Sequence, residues 1–260
     1  MNPQNKLDIL QKLGCQYAFY YRSNCQLPFF QSNHNRFFSA SLIKVPVLLA
    51  WLHLEHSGSV HREDICDLDA EPQVEGAGFS WLLRARRLPF QDVLLMMMSL
   101  SDNLSTNLVI RHIGLKRLQE VIHDALDLPG AELQRKLFDY EARARGLDNW
   151  ITPEDCIRMY ERIAALPAPD RRWIESMMGV CQDSALLMRS IPRDTITFYH
   201  KTGSITGVLH DWGYTESCQI FLLTQNVPDE PAVFAVFGEL GKLMQNETHV
   251  SSLVTPEQSS

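Results

Sequence analysis

The 260-residue chain reads as an α/β protein: an antiparallel five-stranded sheet built from both chain ends, flanked by terminal helices, with an all-helical lobe inserted. Three observations predict this. Aromatic and β-branched stretches bounded by turn residues cluster near the two ends. A long middle block instead carries apolar residues at three- and four-residue spacing. A helix-patterned segment stands at each terminus.

Taken in order, "MNPQNKLDILQKLG" is polar with a helical repeat, and predicts the first helix. "CQYAFYYR" and "QLPFFQ", separated by Ser23-Asn24, predict a β-hairpin. From near Ser41 the period turns helical and stays so for about 150 residues, through "FQDVLLMMMSLSDN", "LSTNLVIRHIG", "LKRLQEVIHDAL" and "TPEDCIRMYERIAAL". Thr152 and Asp155 with Pro153 between them mark a helix start, because the hydroxyl caps free N–H groups and proline suits the first helical position. The methionines of "LLMMMSL" suit core filling. Beyond residue 194, "DTITFYH", "GVLHDWGYTE" and "CQIFLLTQNV" predict three more strands, and "AVFAVFGELGKLM" a last helix packed on the sheet. The expected organisation is a single domain over 1–260, with an α/β lobe at 1–40 plus 192–260 and an all-α lobe at 41–191. Two lobes meeting along a seam leave a cleft there, where ligand sites tend to form.

Composition narrows the function classes. With 45% hydrophobic and 21% charged residues the chain has ample material for a core. Its formal charge of −7 disfavours a nucleic-acid or anionic-membrane partner, since both need a basic face. The longest apolar run, Val45 to Leu52, is eight residues and too short for a bilayer. As written the N-terminus shows no apolar core of a signal peptide, so the expected compartment is the cytoplasm, or the periplasm or exterior if a leader was removed. The six cysteines show no Cys-x-x-Cys pair and are expected to be reduced and buried. The nine histidines contain no His-x-x-x-His pair, and no metal or cofactor is expected.

Chemistry concentrates in three short motifs. In "SASLIKVPVLLAWL" (39–52), Ser41 and Lys44 stand three residues apart at the mouth of an apolar run. Alone, this is a helix start beside a lysine that reaches to water. Ser101-Asp102-Asn103 interrupts the helical block between two apolar helices, and Lys201-Thr202-Gly203 follows the strand "ITFYH", with Ser204 next. Each motif occurs once, in fixed order, separated by 60 and then 100 residues.

That order and spacing resemble the class A β-lactamases and related penicillin-binding serine hydrolases, whose signature is Ser-x-x-Lys, Ser-Asp-Asn, then Lys-Thr-Gly. The likeness extends over nearly the whole chain. It implies that Ser41 is a nucleophile forming an acyl-enzyme and that Lys44 takes its proton. A lysine serves as base only when neutral, and burial beside a second cation, Lys201, would lower its pKa. By the same resemblance Ser101 passes the proton to the leaving nitrogen, and Asn103 holds the substrate's amide side chain. Lys201 and Thr202 would bind the substrate carboxylate, and Gly203 would leave room for the substrate. The backbone N–H groups of Ser41 and Ser204 would form an oxyanion hole. The implied partner is a small molecule with an amide, ester or β-lactam bond; oligomeric state stays open.

One family element is missing. Hydrolytic members carry Arg-x-Glu-x-x-Leu-Asn between the second and third motifs, and its glutamate activates the deacylating water. Here the corresponding stretch is "LQRKLFDYEARARGLDNW", and alignment on Arg135 puts Leu137 at the glutamate's position. Asp139 and Glu141 follow two and four residues later; they read as surface charges, with a replacement base at either position as the alternative if the loop is rebuilt. The chain thus resembles the penicillin-binding, peptidase-like branch more than an efficient β-lactamase. An efficient β-lactamase, a D-Ala peptidase or esterase, and a sensing module acylated without turnover are the alternatives.

Overall fold

A computed structural model describes residues 2–245; the end of the expected domain, 246–260, lies outside the described residues. The chain opens with helix α1 (Gln4–Lys12), strands β1 (Gln16–Ser23), β2 (Gln26–Ser32) and β3 (Phe37–Phe38). A 3₁₀ turn, Ala40–Ile43, runs directly into α2 (Lys44–His56). Next come β4 (Ile65–Asp67), β5 (Arg87–Pro89), α3 (Phe90–Ser99), α4 (Asn103–Ile113) and α5 (Leu115–Glu120), which passes into a π-helical turn at Val121–Ala125. After α6 (Tyr140–Ala144), β6 (Trp150–Ile151), α7 (Pro153–Ala164) and α8 (Ala168–Met178) follow β7 (Tyr199–Ile205), β8 (Val208–Tyr214), β9 (Cys218–Gln225) and α9 (Glu230–Gly241).

The main sheet has the order β2-β1-β9-β8-β7, antiparallel throughout, so the two chain ends interleave as the sequence predicts. All eight residues of β9 are buried because both sheet faces are covered. On one face Tyr17, Phe19, Ile220 and Leu222 pack with Leu7 and Leu10 of α1 and Val236 and Phe237 of α9. On the other, Ala18, Tyr20, Phe221 and Leu223 join a larger core with Trp51 of α2 and Met97 and Met98 of α3. The methionines of "LLMMMSL" are core filling there, as expected. The predicted capping box at α7 forms: the Thr152 side chain accepts from the Asp155 N–H, and the Asp155 carboxylate accepts from the Thr152 N–H at 3.1 Å.

Four local expectations are corrected. The hairpin turn is Asn24-Cys25, because Ser23 stays in the ladder opposite Gln26 after a register irregularity beyond Tyr21. The inserted lobe is not wholly helical: β4 pairs with β5, and β6 pairs with β3, as strands of two or three residues too short to show alternation. Lys201, Thr202 and Gly203 lie inside β7, which starts only at Tyr199, where pairing with Tyr214 begins. Buried His200, Lys201 and Thr202 hide the alternation that would have revealed the strand. Finally, Cys15, Cys66, Cys156 and Cys218 are buried, but Cys25 on the hairpin turn is exposed and Cys181, beyond the end of α8, is half-buried. Among the described residues no helix is long and apolar enough to cross a membrane.

Candidate active site

Ser41 sits in the 3₁₀ turn that leads into α2. Three residues per turn make positions i and i+3 eclipse, so Lys44 stands directly over Ser41. Ala40, at φ 45°, turns the chain into that geometry through the left-handed region. Lys44 is 0% exposed, and its Nζ meets only oxygens from three residues. It lies 3.0 Å from Ser41 Oγ, 3.0 Å from Ser101 Oγ, 2.6 Å from the Ser101 carbonyl and 3.0 Å from Asn103 Oδ1. No carboxylate is among those partners. Burial, reinforced by the positive charge of Lys201 and opposed by Asp102, holds the Lys44 pKa well below the usual lysine range. As a neutral amine Lys44 offers two N–H donors and one lone pair. The lone pair can receive the Ser41 hydroxyl proton while the hydrogens go to the Ser101 and Asn103 oxygens.

The second motif is held by its own middle residue. Asp102, fully buried, caps α4 by accepting from the Ser105 N–H at 2.8 Å. Its carboxylate also accepts from the Ser80 hydroxyl at 2.6 Å and the Ser80 N–H at 2.8 Å, tying the 75–83 loop to the site. That loop passes so close that a Cβ on Gly78, at φ +76°, would lie 2.1 Å from Asp102 Oδ2. Ser101 is left in the left-handed region at φ 56°, with its hydroxyl on Lys44. Asn103 gives its Oδ1 to Lys44 and donates Nδ2 to the Glu75 carbonyl at 3.0 Å.

The third motif approaches along β7. A Cβ on Gly203 would stand 3.2 Å from the backbone nitrogens of Ser41 and Leu42 and the Ser39 carbonyl, so the bare Cα lets the strand lie a few tenths of an ångström closer to the nucleophile's turn. Lys201 is 0% exposed; its Nζ donates to the Thr202 carbonyl at 2.8 Å, and burial lowers its pKa. Thr202 is buried and Ser204 exposed. Two cavities share Ala77 in their walls. One, of about 190 Å³, is lined by Ser41, Asn103, Ser204, Leu137 and Phe138; the other, of about 460 Å³, by Ser101, Lys201, Thr202 and Cys181. All eight sequence-predicted residues therefore fall at one seam, with Ser41, Lys44, Ser101 and Asn103 in direct contact.

The 135–149 loop closes on itself. Arg135 Nη2 pairs with Asp148 at 2.6 Å, and the Asn149 side chain bonds the backbone of Gln134 and Arg135. Leu137 is clamped through its backbone by Asn107, whose Oδ1 accepts from the Leu137 N–H at 2.8 Å and whose Nδ2 donates to the Leu137 carbonyl at 3.0 Å. Phe138, at φ 61°, lays its ring over Gly76. Asp139 caps α6 by accepting from the Ala142 N–H at 2.8 Å, and Glu141 is exposed in the first turn of that helix.

Sequence reasoning missed three supporting groups. Asp102 shows an N-cap signal just ahead of an apolar helix, which could have identified it. The Asn107 clamp and the Glu75 carbonyl depend on chain segments meeting in space, and no spacing announces them.

A serine–lysine pair at the seam between an antiparallel sheet and an inserted helical lobe defines the serine β-lactamase class of fold. The chain belongs to the β-lactamase enzyme family, whose family model matches residues 3–248. A comparison with curated proteins found no match. Among solved structures, the chain is similar to a β-lactamase from Sphaerobacter thermophilus, with 24% identity, 98% of each chain covered and a TM-score of 0.82. It is similar to PBP-A, with 18% identity, 94% of this chain and 96% of that one covered, and a TM-score of 0.78. A class A β-lactamase from Mycobacterium abscessus gives 15% identity, coverage of 96% and 100%, and a TM-score of 0.80.

Proposed function

We propose that the chain is a serine hydrolase that works through an acyl-enzyme at Ser41 on an amide or β-lactam bond, and that it releases the acyl group slowly. The observation that carries this reading is Lys44 Nζ, buried with no carboxylate among its hydrogen-bond partners, standing 3.0 Å from both the Ser41 and Ser101 hydroxyl oxygens. Neutral Lys44 takes the Ser41 proton as Oγ attacks the carbonyl carbon. The backbone N–H groups of Ser41 and Ser204 receive the oxyanion. The proton then passes through Ser101 Oγ to the leaving nitrogen as its bond to carbon breaks. Lys201 and Thr202 hold the substrate carboxylate. Asn103 orients Lys44 and presents its amide to the substrate's side chain once the Glu75 carbonyl yields.

Release is the weak step. Leu137 lines the cavity in front of Ser41, where a water would need a base, and Asp139 is engaged as a helix cap. Incubation with penicillin followed by intact mass over time tests both halves. One acyl adduct on the peptide containing Ser41, persisting for minutes and absent in Ser41→Ala, is expected; loss of a nucleophile in such a unit typically costs 10³-fold or more. Full labelling of Ser41→Ala, or no adduct at all, overturns the reading. Rapid turnover of a chromogenic cephalosporin would favour an efficient β-lactamase instead.

A further inference from the structure

Behind the Lys201 wall of the cleft lies a row of side chains for which the proposed reaction has no use. His200 is 4% exposed and Asp211 is 0% exposed. His200 Nδ1 pairs with Asp211 Oδ1 at 2.9 Å, and the other carboxylate oxygen, Oδ2, accepts from the Leu187 N–H at 3.0 Å. With Nδ1 committed to Asp211, His200 brings its charge close to Cys181, on the cavity wall that also carries Lys201 and Asp183. Cys181 is half-buried and lines the same cavity of about 460 Å³ as Lys201, Thr202 and Ser101. The loop carrying it is pinned to the end of α3 by the Gln182 N–H donating to the Ser99 carbonyl at 2.9 Å.

Burial works against a charged His200, but Asp211 and then Cys181 outweigh it and hold its pKa up at about 10. Burial alone would also raise the Cys181 thiol. His200, then Lys201 and the Asp183 backbone, outweigh that and lower it from its ordinary value. The charged groups facing Cys181 are thus His200 and Lys201 from β7, Asp183 from its own loop, and Asp211 from β8 behind the imidazole. A thiolate beside an imidazolium that is itself backed by a carboxylate is the arrangement that makes cysteine nucleophilic near neutral pH.

We propose that Cys181 is a covalent modification site within the cleft, taking anionic low-molecular-weight disulfides by thiol–disulfide exchange. The Cys181 thiolate attacks one sulfur of the disulfide, a new S–S bond forms to Sγ, and the old S–S bond breaks. The departing half leaves as a thiolate that takes a proton from water. Lys201 and His200 draw the anionic disulfide in, and the retained half occupies the cavity before Lys201 and Thr202. That occupancy blocks the substrate carboxylate and reversibly suppresses acylation of Ser41, an effect that rests on the function proposed above.

Glutathione disulfide is the probe, applied to the purified full chain with peptide mass mapping, and the exposed Cys25 supplies the reference thiol. Cys181 is expected to be modified on the order of 3-fold or more faster than Cys25 at pH 7, after allowing for the weaker intrinsic nucleophilicity of a lower-pKa thiolate. The ratio should grow as pH falls and shrink in His200→Asn. Fluorescent-penicillin labelling of Ser41 should drop with the adduct, return on treatment with dithiothreitol, and be insensitive to the disulfide in Cys181→Ala. Equal or slower modification of Cys181 than of Cys25 overturns the proposal. An adduct on Cys181 that leaves Ser41 labelling unchanged overturns the blocking. If reduced protein takes no penicillin, the proposed hydrolase function fails, while the rate comparison still decides the fate of Cys181.

Discussion

Leu137→Glu places a carboxylate at a position whose backbone is already fixed from both sides by Asn107. The loop therefore has little freedom to swing the new side chain away from the cavity it shares with Ser41. General-base assistance is worth roughly 10² to 10⁴-fold, or about 3–5 kcal/mol of barrier at ~1.36 kcal/mol per decade. A misplacement of about 1 Å forfeits on the order of 10²-fold of that. The acyl-enzyme lifetime should accordingly shorten by up to roughly 100-fold even with such a misplacement. The substitution also removes a half-buried leucine packed against the larger core. A part of the roughly 1.5–3 kcal/mol of a fully buried leucine is lost, about 1 kcal/mol, which lowers the melting temperature by about 2–4 °C for a chain of this size. The assay is a penicillin pulse followed by intact mass at intervals, at pH 7 and again near pH 5. A carboxylate base loses its function as it protonates, so the gain should shrink at the lower pH. A folded variant with an unchanged lifetime at both pH values would refute the placement of Leu137, as would wild-type protein that turns over rapidly without a burst.

Lys201→Ala should cost on the order of 10²-fold in acylation by carboxylate-bearing substrates. Its acylation profile should move to higher pH, since removing one positive neighbour raises the Lys44 pKa; burial, the larger cause, keeps that displacement partial. An unmoved profile by stopped labelling would remove the like-charge contribution from the argument. Gly203→Ala puts a methyl group 3.2 Å from the Ser41 and Leu42 nitrogens and the Ser39 carbonyl, all backbone. The strand must back away from the turn by a few tenths of an ångström, and acylation should fall by about 10-fold or more with the melting temperature nearly kept. Acid should destabilise the protein through His210. This ring is fully buried, with Nε2 on the Phe38 carbonyl at 2.7 Å and Nδ1 accepting from the Thr224 N–H at 3.1 Å. Only the neutral tautomer satisfies both contacts, and burial lowers the pKa from 6.5 to about 4. The stabilisation is present above pH 6.5 and lost as pH falls through 4, on the order of 3 kcal/mol in total. Melting curves should show this acid limb flattened in His210→Gln; an identical limb would falsify the assignment.

Much of the site was legible because its chemistry needs particular residue types at short range. Ser41 and Lys44 meet through one turn of backbone, and Ser101 to Asn103 through one helix start. Glycine in the third motif is demanded by backbone contact with the first. What escaped the sequence is what only folding brings together. Asn107 holds Leu137 across thirty residues, and Ser80 holds Asp102 across twenty-two. The extent of β7 was obscured for a related reason. His200, Lys201 and Thr202 are buried polar groups, so the buried part of the strand did not read as apolar. The two small strand pairs in the helical lobe are too short to carry a period at all.

The interleaving of the chain ends in the sheet has a consequence for how the protein is made. Gln16 and Gln225 are partners across β1 and β9, 209 residues apart in sequence. During synthesis the N-terminal hairpin emerges first and must wait, one strand edge unsatisfied, until nearly the whole chain has been translated. The helical lobe, rich in local contacts, can compact in the interval, whereas the long-range ladder is slow to close. The Ser41 turn emerges early, but its β7 wall arrives only with the last quarter of the chain. A ribosome-stalled intermediate lacking β7 should therefore bear Ser41 without reacting with penicillin, and the nascent hairpin is where a chaperone would be needed most.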